Sequence, residues 1–396
     1  MFETFRKAWK IEDLRKRLLF TLLILVLFRL GCAIPVPYIS AGALTSMFAG
    51  GTGDMLEYLN MMSGGALSEC TLFALGVQPA INASIIMQLL AVAIPYLENL
   101  TKEGEEGQRK MRRITNYVGA GIGLMLSIGY YFIIRNMGAL SYTEGFAGIF
   151  SAVVIVLAFT AGSQLCAWMG NQIDSKGIGN GISLIIMIGI VARLPHALLA
   201  EVNARFQTSD GSAIMIILEL VLLALVFMAT IALVQAVRKV PVQYAKRIIG
   251  NKQYGGVRQY IPLKMNAANV MPIIFAQALM FIPMLFTKIA PGFAGAFADM
   301  TGFWYNFTLA VLVIAFTYFY TAIIVNPQMM ADDMKRNGGF IPGVKPGKQT
   351  VNYIDTIMTR ITLPGSFFLA IVAILPALAM KFLNVQQAFA YFYGGT

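Results

Sequence analysis

The sequence predicts an all-α polytopic membrane protein. Three observations carry this. Apolar residues make up 58% of the 396 positions and charged residues only 12%, against about 45–50% and about 25% in soluble domains. The apolar residues fall into runs of about 20, the length that crosses a bilayer as a helix. These runs do not alternate with period two, which removes the strands of a membrane barrel. In lipid only helices or closed barrels satisfy their own backbone, so helices remain.

Nine spans are predicted, at about 18–36, 72–94, 114–134, 148–168, 181–199, 213–235, 267–287, 304–325 and 361–383. The first follows Arg15-Lys16-Arg17 and could pass for a secretory leader. No small-x-small cleavage pattern follows it, so it reads as an uncleaved span. A weaker segment at 53–66, rich in Gly and Met, is too short and too polar to span. It reads as a re-entrant piece that must be covered by protein or face a water-filled cavity.

Charge sets the orientation. The chain carries 30 Lys and Arg against 19 Asp and Glu, a net charge of +11. Segments 1–17, 98–113, 169–180, 236–266 and 326–360 hold 24 of those 30 basic residues. They lie on one side of the predicted spans, and the positive-inside rule makes that side the cytoplasm. Residues 1–17 then form a cytoplasmic amphipathic segment, and 384–396 lie outside. In the 236–266 loop Val242 and Tyr244 alternate with polar residues and Tyr254-Gly255-Gly256 reads as a turn. The expectation is a cytoplasmic hairpin that docks an acidic surface by charge.

Enzymatic constellations are missing from the sequence. His196 is the sole histidine and reads as an interfacial residue after Pro195. Cys32, Cys70 and Cys166 have neither disulfide nor metal spacing. No zinc motif or phosphate loop occurs, so neither metal nor cofactor is expected. Arg29, Glu219 and Lys381 are read as lying near span ends, within reach of the interface. An ion-coupled transporter needs a mid-membrane charge, so that class is disfavoured. A pore-less insertase is a third class.

Two clusters of small and polar residues stand out. One runs from Ser63 to Ser68 and on to Pro79; Gly64 and Gly65 read there as a hinge, with Pro79 weakening the helix that follows. The other is Lys176–Ser183. Both also fit close helix packing through small residues. Amides recur at Asn82 and Gln88 in the second span and at Asn266, Asn269 and Gln277 in the seventh. Buried amides in lipid seek partners on other helices.

At these positions the chain resembles the SecY family, the channel subunits of the bacterial protein-conducting translocon. The resemblance is carried by SGGALS (63–68), ASIIMQLL (83–90), KEGEEG (102–107), GIGNGIS (177–183), PVQYAKR (241–247), PLKMN (262–266), FIPGVKPG (340–347) and YFYGGT (391–396). It implies a passive channel that moves unfolded polypeptides across the cytoplasmic membrane and releases apolar segments sideways into lipid. It implies ten spans in two inverted halves, a clamshell around a central pore, with the tenth span after residues 384–396. The first half would be 18–199, with 53–66 as a plug, and the second 213–383. A pore ring would fall on Val77, Ile81, Ile182, Ile186 and Ile274, and a lateral gate on Asn82, Gln88 and Gln277. The loops 236–266 and 326–360 would dock the motor ATPase SecA or the ribosome through Lys246, Arg247, Lys345 and Lys348. Lys345 stands where the family has Arg; it keeps the charge and loses the bidentate fork. SecE and SecG would complete a heterotrimer, with signal peptides, nascent polypeptides and the lipid bilayer as further partners.

Overall fold

A computed structural model describes residues 6, 9–40, 63, 65–136, 138–142, 144–207, 212–244, 247–249, 252–254, 258–280, 297 and 301–394. The chain divides into two compact units, Met1–Ala197 and Leu198–Thr396.

The first unit contains α1 (Glu12–Gly31), α2 (Gln78–Ala93), α3 (Pro95–Lys102), α4 (Glu105–Asn136), α5 (Gly145–Lys176) and most of α6 (Gly181–Gln207). α1 begins inside the expected amino-terminal segment. Glu12 and Asp13 in its first turn complement the helix dipole, and Glu12 pairs with Lys16 at 2.9 Å. α2 starts six residues later than the span expected at 72–94. Gly76 takes φ +50 and Pro79 stands in the first turn of the helix, where a missing N–H costs nothing. Pro79 therefore starts α2 and does not weaken it. α4 packs along α2 and α5 through small residues. A Cβ on Gly119 would touch Ala83 at 3.5 Å, and one on Gly123 would touch Ser163 at 3.0 Å. A Cβ on Gly162 would strike the Leu72 carbonyl. Without lipid-specific attraction between apolar helices, such close backbone approach supplies the packing. Val36, Leu67, Cys70, Tyr130, Ile134, Ile155 and Phe159 form one buried cluster of this unit.

The division lies within α6, which runs unbroken through Pro195 to Gln207. His196 is exposed on it. The second unit continues with α7 (Ser212–Gln235), β1 (Val237–Tyr244), β2 (Arg247–Ile249), β3 (Lys252–Tyr254) and β4 (Arg258–Lys264). Then come α8 (Met271–Leu279), α9 (Phe303–Ile324), α10 (Pro327–Arg336), β5 (Gly339–Phe340), α11 (Lys348–Leu383), α12 (Gln387–Ala390) and a 3₁₀ turn, Tyr391–Gly394. α9 packs along α8 and α11, burying Ile273, Ala276, Leu309, Val313 and Leu369.

Among the described residues, six helices (α4, α5, α6, α7, α9 and α11) are long and apolar enough to cross a membrane. The first, second and seventh expected spans hold shorter or more charged helices: α1 of 20 residues, α2 of 16 and α8 of 9. Residues 281–287 of the seventh lie outside the described residues, as does most of the 53–66 segment.

Candidate functional site

The chain leading into α2 is tied down residue by residue. The Ser63 hydroxyl accepts from the Leu67 N–H at 3.2 Å, and the Ser68 hydroxyl donates to the Gly65 carbonyl at 3.0 Å. Tyr130 of α4 donates its hydroxyl to the Leu67 carbonyl at 2.5 Å. Val36 N–H donates to the Cys70 carbonyl and Leu72 N–H to the Ile34 carbonyl. Phe73 stacks on Phe28 with ring centres 5.6 Å apart. Of the expected hinge, Gly65 has φ +93, a left-handed conformation that suits glycine. Gly64 lies outside the described residues.

Directly after this turn stand two of the expected ring residues. Val77 caps α2, Ile81 follows one turn later, and both are buried. The same arrangement recurs at the start of α6. Asn180 caps that helix, its side-chain oxygen accepting from the Ser183 N–H at 3.0 Å. The Asp174 carboxylate accepts from the Gly181 N–H at 2.6 Å, and Thr21 accepts from the Ile178 N–H at 3.1 Å. A Cβ on Gly181 would collide with the Gly170 carbonyl. The second small-residue cluster thus sets a close-packed helix start. Ile182 and Ile186 follow, one turn apart and half-buried; Ile182 packs against Gly170. In the second unit Ile274 and Gln277 lie three residues apart on α8, both half-buried, so they share one flank of that helix.

Gln88, the second gate candidate on α2, is half-buried. It donates to Ser84 at 3.4 Å and lines a cavity of about 330 Å³ between α2, α4 and α5, with Asn116, Gln164 and Asn171. Six residues along a helix turn a side chain by about 240°, so Gln88 stands about 120° from Asn82 around α2. Its polar contacts are internal to the first unit.

The two docking loops expected in the second unit are one structure. The expected hairpin is present as β1 antiparallel to β4, with Val240 opposite Ile261 and Gln243 opposite Arg258. β5 adds to the other edge of β1, Gln243 opposite Phe340 and Tyr244 opposite Gly339. The two loops share a buried cluster of Val240, Val242, Leu263, Met334, Ile341, Ile354 and Met358. Lys345 and Lys348 are exposed. Lys345 is presented by a tight turn: Thr350 donates its hydroxyl to the Lys345 carbonyl at 3.0 Å, and Gly343 and Gly347 have φ +85 and +106. Arg238, Lys239, Lys264, Lys335 and Arg336 are exposed as well. Arg247 opens β2; Lys246 lies outside the described residues.

The largest surprise in the second unit is buried charge. Glu219, near the start of α7, does not reach out to solvent: it is 1% exposed. Arg205 of α6 bonds Glu219 of α7 at 2.6 Å and Glu201 at 2.9 Å, and donates to the Leu383 carbonyl at the end of α11. Glu201 accepts from the Gln386 N–H at 2.8 Å. Tyr393 donates its hydroxyl to the Glu219 carbonyl at 2.9 Å. Burial, then the neighbouring Glu219 and Glu201, push the Tyr393 phenol up, so it stays a donor. The pairing joins residues 14 apart on two helices and a backbone nearly two hundred residues away. No local spacing announces it.

These features define a multi-pass helical membrane protein with polar helix starts set by glycine and a basic loop platform. Such a chain belongs to the class of membrane transport channels. The SecY family model matches residues 71–396. The chain is 40% identical over 415 residues to the protein translocase subunit SecY of Streptomyces coelicolor, covering 100% of this chain and 93% of that one. It is 39% identical over 402 residues to that of Mycobacterium tuberculosis, covering 96% and 90%. Its fold is similar to a solved protein-conducting channel at a TM-score of 0.63 and 17% identity, covering 96% of this chain and 89% of that one. It is similar also to Sec61 from the canine ribosome–channel complex, with a TM-score of 0.59, 16% identity and the same coverage. The chain belongs to the SecY family: it is a protein-conducting channel subunit for translocation across membranes, and not an enzyme.

Proposed function

We propose that the two units form the inverted halves of a clamshell, ten spans in the complete channel, around a pore closed by Val77, Ile81, Ile182, Ile186 and Ile274. The observation that supports the ring is the repeated device at the starts of α2 and α6, both in the first unit. In each, a glycine turn and tight backbone ties fix a helix start, and two aliphatic side chains follow one turn apart. Branched aliphatics bond neither water nor ions, so a narrow ring of them dewets and resists leakage. The ring deforms around a passing chain without holding any sequence. Residues 53–66 act as the plug, hinged at Gly64 and Gly65. Asn82 and Gln277 form the polar seam of a lateral gate through which apolar segments enter lipid, driven by about 25 cal/mol per Å² of buried apolar surface.

The chain sits in the bacterial cytoplasmic membrane with its amino terminus in the cytoplasm, as the Lys and Arg distribution directs. It assembles with SecE and SecG. The basic platform docks SecA or the ribosome through Lys246, Arg247, Lys345 and Lys348 by charge complementarity. The ribosome reading draws support from the ribosome-bound Sec61 and yeast Ssh1 channels that share this fold.

The test is crosslinking from single cysteines to a stalled translocating polypeptide. Cysteines at 77, 81, 186 and 274 should capture the chain, whereas cysteines at the exposed Leu22 and Val221 should not. Capture at the latter pair alone would reject the ring. For docking, charge reversal at the four platform residues should weaken SecA binding and flatten its salt dependence; unchanged affinity would reject the platform's role.

A further inference from the structure

Three helices of the first unit each turn a polar flank toward the cavity of about 330 Å³. α2 brings Ser84 and Gln88, α4 brings Arg112 and Asn116, and α5 brings Gln164, Asn171 and Asp174. Spacings of three, four and seven residues keep each set on one side of its helix. Gln88 is bonded to Ser84, and Asp174 to the Gly181 N–H. The side-chain amides of Asn116, Gln164 and Asn171 have no hydrogen-bond partner among the described residues. A carboxamide offers two donors and an acceptor oxygen, so the wall holds unused bonding capacity of both kinds. Arg112 and Asp174 line it with opposite charges, which favours neither an anion nor a cation.

The occupant that suits such a wall is neutral and presents donors and acceptors together. A polypeptide backbone does so, with one N–H and one C=O per residue. Gln164 and Asn171 stand seven residues apart, about 10 Å along α5. An extended chain covers that distance in about three residues. We propose that this cavity is a subsite that holds the backbone of a translocating polypeptide, pairing about three extended residues with Asn116, Gln164 and Asn171. The proposal rests on reading Ile182 as a ring residue. Ile182 also lines the cavity, so the subsite borders the ring. Bonds to peptide groups carry no side-chain information, so the hold is independent of sequence. A segment seated here keeps its peptide groups paired beside a constriction that offers them no partner.

The experiment uses the full chain assembled with SecE and SecG, with Cys32, Cys70 and Cys166 replaced by alanine. Single cysteines are introduced as Ala91→Cys, in the cavity wall, and Ile81→Cys, in the ring. A stalled polypeptide presents its own cysteine to each, within either an alanine–serine run or a proline run, which has no N–H to donate. Ala91→Cys should capture the alanine–serine run and take the proline run about fivefold less, whereas Ile81→Cys should take both alike. Gln164→Leu combined with Asn171→Leu should bring capture of the alanine–serine run at Ala91→Cys down to the proline level. Should that pair fail to assemble, Asn116→Leu, at an exposed position, stands in with an expected twofold fall. Capture at Ile81→Cys without capture at Ala91→Cys overturns the subsite and leaves the ring standing. So does capture at Ala91→Cys that is unaltered by the proline run or by the leucine substitutions. Capture at neither position overturns both.

Discussion

In the first unit, residues 65–73 are held mainly by neutral groups, hydroxyls of Ser68 and Tyr130, backbone amides of Val36 and Leu72 and the Phe28–Phe73 stack, with one charged donor, Arg193, on the Ser68 hydroxyl. In the second unit, residues 383–394 are held by buried charge, with Arg205 between Glu201 and Glu219 and bonded to the Leu383 carbonyl. Neutral hydrogen bonds contribute about 0.5–1.5 kcal/mol each. They can be exchanged one at a time as a segment peels away. A buried ion cluster loses about 3–5 kcal/mol when one partner goes, because the remaining charge has no solvent. The difference teaches that the first return can be loosened bond by bond, whereas the second resists the loss of any one partner.

Substitutions can break this comparison or sharpen it. The largest effect is expected for Arg205→Met, which strands two buried carboxylates and should cost about 3–5 kcal/mol. It should appear as a lower melting temperature in detergent and lost hydrogen-exchange protection over 384–394. Glu201→Gln keeps an acceptor for the Gln386 N–H but gives up the charge opposite Arg205. A loss of about 1.5–3 kcal/mol is expected on the same melt. Tyr130→Phe removes one neutral bond to a carbonyl that Cys70 N–H also serves. About 0.5–1.5 kcal/mol should go, with faster exchange confined to 65–70. If it matched Arg205→Met, the contrast between the two returns would be false. Smallest is Glu12→Gln. Its pair with Lys16 is 68% exposed on both sides, and a change in melting below the equivalent of about 0.5 kcal/mol is expected.

The sequence announced what depends on local composition. Apolar runs marked the helices α4 to α7, α9 and α11, and the alternation at Val242 and Tyr244 marked the hairpin. Element edges set by turn geometry were less legible. Gly76 and Pro79 together begin α2 at residue 78, and hydropathy alone runs through them to residue 72. The strand β5 is two residues long and carries no pattern of its own; only its pairing with Gln243 and Tyr244 makes it a strand. Long-range polar contacts were least legible. Glu219 looks like any acid near a span end until Arg205 is folded against it. Arg193 sits between Ala192 and Leu194 in an apolar run, and that charge was the signal available.

α11 joins two parts of the second unit that have been treated apart. Its 36 residues make a rod about 54 Å long. At one end, Gly347 seats it beneath the Lys345 turn and the sheet that β5 completes; at the other, Leu383 is riveted by Arg205. One continuous helix thus ties the Lys345 turn to the buried Arg205 cluster. The rod's give is concentrated at Pro364 and Pro376, each of which deletes a rung of its backbone ladder.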